Sequence, residues 1–323
     1  MDVAPSLLIA GNFLPFRLKI SPNNVISSSY FVDSSRLSLI FDNPLLAQPL
    51  LSLQSAVNSK SRELRSAMIE DKVRIAAIAD LHYQKTSHGV LRELFAQIAK
   101  SADVLLICGD LVHLGLPEET EILVKELAFV KLPIVAVLGN HEFESNKQED
   151  VKKILADAGI VVLDGTACEY YGVGFAGVKG FAGGFGRLAL EPWGEQSIKD
   201  FVKETVRESL KLESALASLR TSRLVALLHY APIRATVEGE PPEILPFLGS
   251  SRLEEPLNRY NVTVAFHGHA HRGQPEGKTR EGTPVYNVAL RVLEQKFPNR
   301  PPFRLFEIPL KEGESHAAHA KAE

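Results

Sequence analysis

Cysteine is scarce in this sequence, with Cys108 and Cys168 the only 2 in 323 residues. So few thiols supply no disulfide framework, and a reducing, cytoplasmic setting is the expectation. Cys108 lies in the apolar run VLLIC, where a thiol acts as a small hydrophobe. Charge of one sign is also lacking. The net charge of −3 offers no electrostatic footprint for nucleic acid or an anionic membrane, so neither is an expected partner. No apolar run approaches the roughly 20 residues that span a bilayer. No basic region precedes an apolar stretch near the amino terminus, as a secretory signal requires. What remains is an ordinary globular composition, 45% apolar and 23% charged. The length allows one large domain or two small ones and leaves the oligomeric state open.

Residues 1–67 are rich in serine and short apolar runs, as in ISSSYFVDSSRLSLIF, and lack the alternation that follows. Their serine content suits a transit peptide, but Asp2, Asp33 and Asp42 count against one. Methionine occurs only as Met1 and Met68. Met68 opens MIEDKVRIAAIAD, which reads as the start of a domain whose first strand follows at once. Residues 1–67 are therefore expected to be an extension, either disordered or upstream of a true start at Met68. The domain is expected over 68–310. The small polar tail KEGESHAAHAKAE, 311–323, is expected to be disordered.

From residue 73 short apolar runs alternate with helical spacing. VRIAAIA (73–79), VLLIC (104–108) and PIVAVL (133–138) predict strands, with helices over 88–100, 117–129 and 147–157 between and after them. GIVVL and CEYYGVGFAGVKG predict further strands, and a charged helix spans roughly 195–220. LVALLH (224–229), VTVAFHG (262–268), PVYNVAL (284–290) and FRLFEIP (303–309) complete the strands. Such alternation implies an α/β fold with largely parallel sheets buried on both faces.

Ligands in open α/β sheets bind beyond the carboxyl ends of strands. The first strand here releases 80-DLH-82, the second 109-GDLVHLG-115 and the third 139-GNHE-142. Two later strands release His229 and 268-GHAH-271. Each ending alone reads equally as turn chemistry or a hydrogen-bonded histidine. Five endings that deliver metal-ligand side chains to one sheet edge are not readily a structural accident.

That ordered set, Asp-x-His, Gly-Asp, Gly-Asn-His-Glu, a lone His and Gly-His-x-His, resembles the signature of the calcineurin-like metallophosphoesterases over about residues 73–309. The resemblance implies a four-layer αββα sandwich of two mixed sheets flanked by helices. It implies two divalent metal ions, Mn²⁺, Fe or Zn²⁺, with Asp80, His82 and His271 on one, Asn140, His229 and His269 on the other, and Asp110 bridging them. His141 would then be the catalytic histidine that protonates the leaving oxygen or polarises the phosphoryl group. The implied reaction is hydrolysis of small-molecule or nucleotide phosphomonoesters or phosphodiesters by a metal-bound hydroxide. His267 is assigned a structural role.

One departure is plain: where the phosphoprotein phosphatases usually carry Asp, this chain has His113, which weakens a protein-phosphatase reading and leaves a substrate contact for His113 open. The glycine-dense stretch GVGFAGVKGFAGGFGR reads as a hairpin and loop, with Arg187 a candidate phosphate clamp. The long segment 230–252 reads as a lid or binding loop, with Tyr230, Arg234 and Arg252 as candidate substrate contacts. A non-catalytic scaffold on the same fold is the alternative. Such scaffolds tend to lose ligands that this chain retains. A barrel-type metal hydrolase would open with His-x-His, whereas this chain opens with Asp-x-His and ends with His-x-His.

Overall fold

The computed structural model describes residues 71–310 and a short hairpin, in which β1 (Leu7–Ile9) pairs antiparallel with β2 (Asn12–Leu14). The chain divides into two units, Met1–Ser66 and Ala67–Glu323. The expectations for residues 1–67 and 311–323 concern chain that, apart from the hairpin, lies outside the described residues.

The second unit begins with β3 (Lys72–Ile78), α1 (Arg92–Ser101), β4 (Val104–Cys108), α2 (Pro117–Leu127) and β5 (Ile134–Val137). It continues through α3 (Gln148–Asp157), β6 (Val161–Val162), β7 (Thr166–Tyr170), β8 (Val173–Gly177), the long α4 (Gln196–Ser218) and β9 (Leu224–Leu227). Then come α5 (Glu254–Arg259), β10 (Val264–His267), β11 (Glu276–Lys278), β12 (Pro284–Asn287), α6 (Leu290–Lys296) and β13 (Arg304–Pro309).

These strands form two mixed sheets. The first has the order β13-β3-β4-β5-β6, parallel except for β13. The second has the order β11-β12-β10-β9-β8-β7, parallel at its centre with antiparallel strands at both edges. Side chains alternate across each strand, and both faces of the central strands are apolar. One face of each sheet builds the shared inner layer, where Ile75, Leu106 and Val135 meet Phe175, Val225 and Phe266. The outer face of the first sheet packs Ile78, Leu105 and Ile107 on Phe95, Leu123 and Leu155 of α1, α2 and α3. The outer face of the second packs Ala226 and Ala265 on Leu212 and Leu216 of α4 and Leu257 of α5. The result is the four-layer αββα sandwich.

Two segments differ from their sequence expectation. The strand expected over 284–290 stops at Asn287, and α6 starts at Leu290. The apolar VAL at its end crosses between the sheets, with Ala79 accepting from Leu290 N and donating to Val288 O. The segment 230–252 is not loose chain. It folds into short 3-10 turns at Arg234–Val237, Pro242–Phe247 and Ser251–Leu253, and buries Ala231, Val237 and Leu248. No helix among the described residues is long and apolar enough to cross a membrane.

Candidate metal centre

The carboxyl ends of β3, β4 and β5 lie side by side on one sheet, and those of β9 and β10 on the other. Chain leaving these ends turns sharply. Asp80, His82, Asp110 and His269 all adopt positive φ, at 58°, 45°, 50° and 69°. This left-handed region costs L-residues energy, and its use here aims each side chain into the space between the sheets. Glycine makes the close approach possible. A side chain at Gly109 would strike the His229 ring, one at Gly139 the Asp110 carboxylate, and one at Gly268 the Asp80 carboxylate.

Backbone groups set the orientation of the imidazoles. His229 Nδ1 donates to the Cys108 carbonyl at 3.0 Å, which turns Nε2 toward Asn140 Oδ1 at 3.0 Å and Asp110 Oδ1 at 3.4 Å. His141 Nδ1 donates to the His113 carbonyl at 2.5 Å, leaving Nε2 3.9 Å from Asp110 Oδ2. His269 Nε2 donates to the Phe247 carbonyl at 3.3 Å. His271 Nε2 meets Asp80 Oδ1 at 3.0 Å and His82 Nε2 at 3.5 Å. A ring nitrogen whose partner is fixed by a carbonyl presents its other nitrogen as a lone-pair donor. Both Asp80 oxygens also accept from His269 N, at 3.1 and 3.0 Å.

The electrostatics follow from burial. It lowers His82 to about 4 and His269 to about 3, and holds His229 well below the usual imidazole range, so these rings are neutral. Asp110 is pushed well above the usual carboxylate range by burial, by Asp80 and by Glu142. His271 is raised by its bond to Asp80. Among the described residues, no Lys or Arg pairs with Asp80 or Asp110. Buried carboxylates beside imidazoles, three of them held neutral by burial, with no Lys or Arg paired to those carboxylates among the described residues, are a donor set that suits a divalent cation. The ligand atoms of Asp80, His82, Asp110 and His271 all lie within 4.8 Å of one another, as do those of Asp110, His229 and His269. Asp110 is common to both groups.

His82, His113 and His141 form a third such group, with the His113 ring stacked 5.5 Å from that of His141. The His113 side chain therefore belongs to the rim of the site, while its carbonyl orients His141. Tyr230 is buried, its ring 4.4 Å from that of His269. Arg187 and Arg234 are exposed, and no hydrogen bond or ion pair joins either to the cluster. Arg252 pairs with Glu191 at 3.0 Å instead. His267 is fully buried between the Gly268 carbonyl and the Thr236 hydroxyl, each at 2.8 Å.

Glu142 is the residue that sequence reasoning missed. It is fully buried, and its carboxylate accepts from Gly139 N at 2.6 Å, Val112 N at 2.9 Å and Asp110 N at 3.2 Å. It thereby clasps the turn after β4 to the turn after β5. Its place three residues after Gly139, in GNHE, was the available signal.

The family model for calcineurin-like phosphoesterases matches residues 73–273, which span all five strand endings. The chain belongs to that family. Calcineurin-like phosphoesterases hydrolyse phosphoric esters with divalent metal ions, and the clustered donors here are of the kind such ions need. A phosphopantetheinyl hydrolase from Mycobacterium tuberculosis shares the fold, with a TM-score of 0.55 and 14% identity over 73% of this chain and 96% of that one. The protein TT1561 of Thermus thermophilus is a more distant likeness, with a TM-score of 0.44 and 14% identity over 74% of this chain and 100% of that one. No curated protein matches the sequence.

Proposed function

We propose that this phosphoesterase hydrolyses phosphomonoesters or phosphodiesters of small molecules or nucleotides at a two-cation centre. The observation that carries the reading is the position of Asp110, common to two separate groups of ligand atoms. A carboxylate has two oxygens rich in lone pairs and can serve two ions at once. Asp80, His82 and His271 would hold one ion, Asn140, His229 and His269 the other, and Asp110 both. Mixed oxygen and nitrogen donors suit Mn²⁺, Fe or Zn²⁺ better than Mg²⁺ or Ca²⁺. When bound, such a pair would supply Lewis-acid stabilisation of a phosphoryl group and would lower the pKa of water toward neutrality.

The chain's own groups do the rest. His141 would pass a proton from Nε2 to the leaving oxygen, its ring fixed by the His113 carbonyl at Nδ1. Where the phosphoprotein phosphatases usually carry Asp, this chain offers the backbone carbonyl of His113 to orient the ring.

The test is hydrolysis of a chromogenic phosphomonoester and phosphodiester by metal-stripped protein reloaded with Mn²⁺, alongside elemental analysis. Metal-restored turnover is expected, and the mono-to-diester ratio then selects the substrate branch. Protein that binds no metal and turns over neither ester would leave the scaffold reading in its place.

A further inference from the structure

Hydrolysis at this centre leaves the organic part of the substrate unassigned, and one flank of the centre carries a run of aromatic rings that the chemistry does not use. The Tyr230 ring lies 4.4 Å from that of His269, Phe181 lies 5.9 Å from Tyr230, Phe201 5.0 Å from Phe181, and Phe247 6.3 Å from Phe201. The run leads from a proposed cation ligand to the surface. Tyr230 is buried, Phe181 and Phe201 are half-buried, and Phe247 is 55% exposed. The Phe247 carbonyl, bonded to His269, anchors the exposed end beside the centre. A fifth ring, Phe143, follows His141 by two residues and is 38% exposed.

Lys179 ties these rings together. Its ammonium lies 4.9 Å from the Phe181 ring, 5.2 Å from Tyr230 and 5.5 Å from Phe143, and donates to the Gly180 carbonyl at 2.9 Å. A cation held among ring faces fixes their orientation. The Lys179 carbonyl accepts from both His229 N and Tyr230 N at 3.0 Å, so the wall and the centre share one piece of backbone. Phe247 and Phe143 are the rings of this set left open, and they are surface that the anionic phosphoryl group itself cannot use.

We propose that this wall is the subsite for the organic moiety of the phosphoester, and that the moiety is a planar aromatic group, aryl or nucleobase. The proposal rests on the hydrolase reading above. Ring-on-ring contact adds affinity beyond the area it buries, and it discriminates flat groups from flexible chains.

The experiment is equilibrium binding of naphthyl, octyl and methyl phosphonates and of a nucleoside phosphonate to Mn²⁺-loaded protein, by calorimetry. Phosphonates resist hydrolysis, so binding is read separately from turnover. Naphthyl phosphonate is expected to bind about tenfold tighter than methyl, and Phe247→Ala to collapse that ratio. Val90→Ala, at an exposed position outside the centre, should leave the ratio intact. Comparing the nucleoside phosphonate with the naphthyl probe separates nucleobase from aryl. Octyl binding as tight as naphthyl, a ratio near one, or a ratio untouched by Phe247→Ala overturns the proposal. Turnover of small polar esters without aromatic preference would sink this inference and leave the hydrolase standing. Absence of all turnover in wild-type protein would sink the hydrolase.

Discussion

Replacing Glu142 tests the clasp beneath the centre. Its carboxylate satisfies three buried amides, those of Gly139, Val112 and Asp110. Burial opposes ionisation and pushes the group up to about 7, even though the amides pull the other way. In Glu142→Leu three buried donors lose their acceptor. At about 1–3 kcal/mol each, the loss is on the order of 5 kcal/mol, a large share of a domain's net stability. Glu142→Gln is the sharper perturbation because the fold should survive it. The amide keeps one acceptor oxygen and turns the other into a donor that faces a donor. That conflict, partly offset by relief of the buried charge, is expected to cost about 1–3 kcal/mol. Urea denaturation at fixed Mn²⁺ reads the cost, and elemental analysis reads the second effect. Loosened Gly139 and Asp110 amides should lower metal occupancy, because each belongs to a turn that presents a proposed ligand. A Gln variant with wild-type stability and full metal content would refute the clasp.

Asp110→Asn should lose metal from both positions and nearly all turnover while keeping its far-ultraviolet dichroism; full metal by elemental analysis would contradict a shared ligand. His141→Ala should retain both ions and lower kcat by on the order of 10²–10⁴, and an unchanged kcat would remove the proton role. Acid should weaken the fold through His267, which burial lowers from 6.5 to about 4. A base with a depressed folded pKa binds fewer protons folded than unfolded, so its stability is complete above 6.5 and is lost as pH falls toward 4. The span corresponds to on the order of 3 kcal/mol. Urea midpoints of wild-type and His267→Asn protein across that window should converge at the acid end, and parallel curves would refute the assignment.

The sequence revealed much of this because the proposed metal ligands sit where periodicity is easiest to read. β3, β4 and β5 are buried on both faces, so VRIAAI, VLLIC and IVAV stand out as apolar blocks, and the polar residues that end them stand out in turn. The pairing of DLH with GHAH was not readable from either stretch. His271 meets Asp80 across 191 residues, and only the packing of one sheet on the other brings them together. Helix α6 was hidden because RVLEQK continues the apolar VAL that follows β12 without a break residue. The role of Glu142 was hidden for a different reason. Its partners are backbone amides, which leave no trace in residue identity. The same holds for His113, whose carbonyl rather than its ring orients His141. The order within 230–252 is tertiary too, since its turns bury Ala231, Val237 and Leu248 against Ala270.

The left-handed backbone of Asp80, His82, Asp110 and His269 has a consequence for any attempt to improve this protein. Each such residue costs roughly 1–2 kcal/mol relative to glycine, so together they cost on the order of 5 kcal/mol. A laboratory selection for thermal stability alone would therefore drift toward glycine or asparagine at these positions, and on the proposed two-cation reading would return robust proteins with no activity. The durable variants worth screening lie elsewhere, in the helices and loops that never touch the turns.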